Sequence, residues 1–142
     1  MDDGTETRVR DSFARQSLMA TFGARVETLG PGTCTLSAPI GQNVRQQHGV
    51  GHAGLTFALG DTAAGYAALT AMPEGAEVMT VEMKINLMAP AAGARLIATG
   101  RVVKAGRRLT VVTAEVEAES EAGTRRTIAL LQGTMIAVDP AG

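Results

Sequence analysis

The sequence predicts an α+β fold in which one antiparallel sheet wraps a single long buried helix. Residues 54–72 are nearly all apolar or small, so this helix must be covered on most sides. After Pro73-Glu74-Gly75 the chain changes period, and four segments in a row read as strands. The helix is also slim: Ala58, Gly60, Ala63, Ala64, Gly65, Ala67 and Ala68 leave room for strands to pass close. Glycine inside a helix costs roughly 1 kcal/mol relative to alanine. A close-packing requirement at Gly60 and Gly65 would account for that cost.

Each element follows from local pattern. Residues 1–7 are polar and expected to fray. Val9, Phe13, Leu18, Met19 and Phe22 recur at roughly helical spacing before the stop signal Gly23, predicting one amphipathic helix. Residues 24–29 and 33–38 read as two strands joined at Gly30-Pro31-Gly32. Residues 39–51, rich in Gln, Gly and His, have no period and are expected to be a loop. Pro73 ends the central helix, because proline supplies no N–H and disfavours helix in its predecessor. Residues 78–87, 95–104, 108–119 and 125–138 are the later strands. The clearest is Val112-Thr113-Ala114-Glu115-Val116-Glu117-Ala118-Glu119, where one face is apolar and the other wet. No repeat or composition shift divides the chain, so residues 1–142 form a single domain.

Composition excludes several functions. The 142 residues are 45% hydrophobic with a net charge of -1, so a core is affordable and no basic field attracts nucleic acid or an anionic membrane. Only 3% of residues are aromatic, which argues against base-stacking surfaces. Residues 53–72 carry Asp61 and too much Ala and Gly for a membrane span. Met1-Asp2-Asp3 is acidic, with no apolar stretch following, so no secretory signal is expected. Cys34 has no partner for a disulfide and reads as a small buried strand residue. A reduced, cytoplasmic setting fits.

Asp61 is the first candidate for chemistry. Burial would raise its pKa, and positions 57, 58, 64 and 65 offer no cation to neutralise it. Buried carboxylates of this kind are where acid–base and nucleophilic chemistry tends to sit. The bland alternative is a carboxylate that hydrogen-bonds a loop backbone or faces solvent at a subunit edge. The second candidate is Gln46-Gln47-His48-Gly49-Val50-Gly51-His52-Ala53-Gly54, which runs into the helix N-terminus. Free N–H groups and the positive dipole end there suit a developing oxyanion, and Gln46 and His52 could orient a carbonyl or water. His48 reads instead as a loop residue capping backbone groups. His52 and Asp61 are separated by about 13 Å along a helix axis, which suggests a site shared between chains.

The ordered motifs Gln46…Gly49-Val50-Gly51-His52-Ala53-Gly54…Leu59-Gly60-Asp61-Thr62-Ala63-Ala64-Gly65, Thr80-Val81-Glu82-Met83-Lys84-Ile85-Asn86 and Ala89-Pro90 resemble the hotdog-fold thioesterases of the phenylacetate-degradation (PaaI-type) group. The resemblance covers nearly the whole chain. It implies a hotdog fold whose subunits pair sheets edge to edge, as a homodimer or a dimer of dimers, with active sites at the interface. It implies hydrolysis of aromatic or short- to medium-chain acyl-CoA, with Asp61 as general base or nucleophile. The Ala53 N–H would polarise the carbonyl, Gln46 and His52 would position the substrate, and Thr80 of the partner subunit would orient water or the carboxylate. No metal or cofactor is implied, coenzyme A being part of the substrate.

This sequence departs from the group's pattern in three places. Ala53 replaces the usual glycine and keeps its N–H, with a methyl group that would crowd the acyl group. Gly60 replaces alanine before the aspartate and would widen the pocket. Leu87-Met88-Ala89 stands where an aromatic and a basic residue are common. Lys104, Arg107 and Arg108 at a strand turn are the candidates for the CoA phosphates, with Lys84 and Arg101 behind them. Met72, Met79, Met83 and Met88 are either core filling or acyl-pocket lining. Two other readings share this fold: a hydratase-type enzyme acting on enoyl-CoA, and a non-catalytic acyl-CoA-binding module.

Overall fold

A six-stranded antiparallel sheet forms around helix α3 (Ala53–Leu69) in the computed structural model, which describes residues 1–140. Its strands are β1 (Arg25–Gly30), β2 (Thr33–Pro39), β3 (Glu77–Leu87), β4 (Arg95–Ala105), β5 (Leu109–Glu119) and β6 (Arg125–Val138), in the spatial order β1-β2-β4-β5-β6-β3. The alternation read in β5 is its burial: Thr110, Val112, Ala114, Val116 and Ala118 are buried while Glu115 is exposed. These side chains and those of β2, β4 and β6 meet Leu55, Leu59, Ala63, Ala64, Ala67 and Ala68 of α3 in one core. Among the described residues, no helix is long and apolar enough to cross a membrane.

The sheet closes on the helix at backbone distance. A methyl group at Gly100 of β4 would sit 2.4 Å from the Ala63 carbonyl, and one at Gly60 would sit 2.9 Å from both δ-carbons of Leu131. Gly60 is therefore a packing residue, as the slim-helix reading requires. It points at Leu131 and Val116 and does not widen the pocket around its neighbour Asp61. Gly65 corrects the same reading in the other direction. A methyl there would meet only Met135 Cε, at an ordinary 3.8 Å.

The N-terminal segment differs from expectation. Instead of fraying over residues 1–7, the chain enters α1 (Asp3–Ala14) at once, because the Asp2 side chain caps the helix by accepting from Thr5 N–H at 2.7 Å. The single helix predicted through residue 22 is broken at Arg15-Gln16. Extended Gln16 starts α2 (Ser17–Phe22), which ends at Gly23 in the left-handed region with φ 67°. Helix α3 ends three residues before Met72. Beyond it, Arg8 donates to the carbonyls of Leu69 at 2.8 Å, Pro73 at 2.6 Å and Met72 at 3.3 Å, satisfying groups the helix leaves open. The loop before α3 holds a 3₁₀ turn, Gln42–Val44, and Arg45 pins it through the carbonyls of Ile40 and Gly49, each at 2.7 Å.

β3 is an edge strand, and it exposes large apolar side chains among polar ones. Met79, Val81, Leu87 and the following Met88 are each more than half exposed. Phe57, on the face of α3 turned away from the core, is exposed as well.

Candidate active site

Asp61 lies mid-way along α3, one turn after Phe57 and one turn before Gly65, on the side of the helix not sealed by the sheet. It is half-buried. Burial pushes its pKa above the usual carboxylate value, and the hydroxyl of Thr80 partly offsets this by donating to Oδ1 at 2.8 Å. The same hydroxyl lies 3.3 Å from Met135 Sδ. It has one hydrogen to give, and the carboxylate is the shorter and stronger acceptor. Thr80 thus reaches Asp61 within one chain, and its expected origin in a partner subunit is corrected. β3 runs beside β6, with a bulge between Thr80 and Glu82, and α3 packs against both strands, so the strand delivers Thr80 to its own helix.

A cleft of about 160 Å³ opens on this pair, walled by Gln16, Thr62, Gly65, Tyr66, Val78 and Met135. Tyr66 is buried, and its hydroxyl is held by Gln16 Nε2 at 2.7 Å and Ser12 Oγ at 3.0 Å. Sequence reading missed Gln16, Gly65, Tyr66 and Met135 as part of this site. Gly65 could have been found, since it follows Asp61 at helical spacing. Gln16 could not, because only the break between α1 and α2 brings it there.

The other predicted residues gather elsewhere. Gln46, His52 and Ala53 line a separate cleft of about 650 Å³ with His48, Thr56, Leu87, Met88 and Ile128. His52 is the N-cap of α3: its Nδ1 accepts from Gly54 N–H at 2.7 Å, which fixes the ring. Gln46 Oε1 accepts from the backbone N–H of His48. Ala53 is the first residue of α3, so the helix ladder gives its N–H no carbonyl. Met88 lines this cleft, while Met72 sits in a groove beside α1. One chain therefore brings Asp61 and Thr80 together, and Gln46, His52 and Ala53 together, and keeps the two groups apart.

Lys104, Arg107 and Arg108 are exposed around the β4–β5 turn. Leu109 pairs with Ile136, which pairs with Met79, so the turn lies at the Thr80 end of the sheet, about 10 Å across two strand spacings.

Residues 48–124 match the model of the thioesterase superfamily. The chain belongs to that superfamily. A Halobacterium salinarum protein described as a candidate esterase is 34% identical over 113 residues, 75% of this chain and 72% of that protein. Among solved structures, a thioesterase family protein from Silicibacter pomeroyi is 47% identical with a TM-score of 0.92, covering 95% of this chain and 98% of that one. The PaaI protein of the phenylacetic acid degradation operon of E. coli shares the fold at 19% identity and a TM-score of 0.82, covering 95% and 94%. The fold of this thioesterase is the hotdog fold its motifs implied. What the superfamily fixes for the chemistry is hydrolysis of a thioester.

Proposed function

We propose that this thioesterase hydrolyses acyl-CoA to free acid and coenzyme A, with Asp61 as its working carboxylate, at a site built from two copies of the chain. The observation that carries the reading is Asp61 itself: a half-buried carboxylate with a raised pKa, no cation beside it, and one hydroxyl, Thr80, to orient it. Such a group is basic enough to take a proton from water. The water oxygen then adds to the thioester carbonyl carbon, and the resulting oxyanion needs donors. The Ala53 N–H at the positive end of α3 is suited to that role, and Gln46 lines the same cleft. Collapse breaks the C–S bond, and the thiolate of coenzyme A leaves with the proton taken up by Asp61. In a nucleophilic variant Asp61 adds to the carbonyl directly and water cleaves the anhydride that results.

The two clefts support assembly from two copies. Thr80 and Leu87 are about 23 Å apart along β3. If two β3 edges pair antiparallel about a point between them, Thr80 of one copy falls opposite Leu87 of the other. The Asp61 cleft of one copy then adjoins the Ala53 cleft of the next, and the exposed Met79, Val81, Leu87 and Phe57 are covered. Arg107, Arg108 and Lys104 at the Thr80 end would meet the phosphates of coenzyme A.

Two variants test this. Asp61→Asn is expected to fold and to lose about 10²-fold or more of thiol release from acyl-CoA; full activity overturns the assignment. Ala53→Pro removes the N–H while suiting a first helical position, and His52 already has the extended backbone that precedes proline (φ -66°, ψ 144°). It too should be inactive. Co-refolding the two inactive variants should restore about a quarter of wild-type sites, since half the pairs are mixed and each mixed pair holds one intact site. No restoration would place the whole site within one chain. Tight binding of acyl-CoA without thiol release would point to the non-catalytic module instead.

A further inference from the structure

We infer that Gly65 sets the depth of the acyl-binding cleft, and so limits the enzyme to acyl groups with short tails. The inference rests on the acyl-CoA reading above and deepens it.

Gly65 is the one glycine of α3 beyond its first turn that neither packing nor backbone conformation explains. Gly60 is required by Leu131 and Val116. Gly65 has an ordinary helical backbone and lies outside the positive-φ region. Its Cβ position is bounded by Met135 Cε alone, at 3.8 Å, so an alanine fits. Yet the chain leaves the position bare in a helix that is otherwise mostly alanine at its small sites, where glycine is the poorer helix former. What the missing side chain leaves is space. Gly65 lies one turn beyond Asp61 and lines the same cleft of about 160 Å³, roughly five water volumes.

The other walls say what that space takes. Val78 and Met135 are apolar, and the Tyr66 hydroxyl is already occupied by Gln16 and Ser12. Gln16, Asp61, Thr62 and Thr80 make the rest of the wall polar, so it is size that limits the tail: the cleft admits only a few carbon atoms beyond the carbonyl. Met135 Cε stands opposite Gly65, so any side chain added to the helix narrows the passage between them.

The test is thiol release from straight-chain acyl-CoA esters, acetyl to decanoyl, by wild type, Gly65→Ala and Gly65→Val, with melting temperatures measured alongside. The wild type is expected to prefer short acyl groups. Gly65→Ala should melt at or above the wild-type temperature and lose tenfold or more in kcat/KM on the longest ester the wild type cleaves well, with a smaller loss on acetyl-CoA. Gly65→Val should move the cut-off to a still shorter chain. An unchanged chain-length profile, an equal loss on every ester, or an alanine variant that melts well below wild type would each overturn the inference while leaving Asp61 hydrolysis intact. A wild type that cleaves none of the esters, with Asp61→Asn indistinguishable from it, would instead overturn the acyl-CoA reading and this inference with it.

Discussion

Where α3 meets Gly100 of β4 and Leu131 of β6 it has no room for one more methyl group, whereas the side carrying Asp61 and Gly65 has space left beside β3. Gly100 and Gly60 mark the closed side, where added carbons would meet the Ala63 carbonyl and the Leu131 side chain. Gly65, Phe57 and the exposed residues of β3 mark the open side. The contrast separates two uses of small residues. On one side they let backbone approach backbone, which fixes the helix to the sheet. On the other they keep space beside a carboxylate whose position that rigid contact defines.

Variants on the two sides should fall on a descending scale of stability loss. Gly100→Ala should be the most damaging, since the obstacle is backbone that cannot rotate away; we expect a loss at or above the ~3 kcal/mol end of overpacking effects, read by chemical denaturation. Gly60→Ala should cost about 1 kcal/mol, because Leu131 can change rotamer and alanine returns some helix propensity. If Gly60→Ala proves as damaging as Gly100→Ala, side-chain adjustment is not what separates the two sites.

On the open side, Leu87→Lys combined with Val81→Lys should leave the fold intact while abolishing self-association in sedimentation, along with thiol release. Retained association would move the subunit contact away from β3.

Asp61→Asn should cost no stability at neutral pH. The folded-state pKa of Asp61 lies above the ordinary aspartate value of 3.8, so the native chain holds this proton more tightly than the unfolded chain does. Stability from this group is present below pH 3.8 and is lost as pH rises through the folded pKa. Melting curves from pH 4 to 8 should therefore show the wild type falling relative to the asparagine variant, and the acid limb of kcat/KM should lie above the ordinary carboxylate range. A wild type that instead gains on the variant as pH rises would mean Asp61 is held ionised, contrary to the environment described. The smallest expected effect is at Cys34, buried with its thiol pushed up to about 12, which should resist alkylation in the native protein and react only on unfolding.

The sequence made the closed side legible and the open side only partly so. Alternation in β5 and the break at Pro73 are local signals, and they led to the sheet and the long helix. The clustering of Gln46, His52 and Ala53 was also local, since they lie in one short stretch entering α3. What stayed hidden depends on contacts between distant segments. Thr80 meets Asp61 because β3 returns to the edge beside β6, and a motif alone could not say which subunit it served. Gln16 joins the site through a helix break with no sequence period to announce it. The glycines read alike in sequence, and only the atoms opposite Gly60 and Gly65 separate their roles.

Arg8 reaches the Leu69 carbonyl at the end of α3 from 61 residues away, which makes the first helix a clasp on the central one. For anyone preparing this protein, the first half of α1 is part of the machine. A chain begun at Ser12 would keep every residue of both clefts and every strand, yet it would lose the clasp, and the end of α3 would be free to unwind toward Tyr66. Affinity tags belong ahead of Asp2 with a spacer that lets its side chain cap the helix, or else at the other terminus.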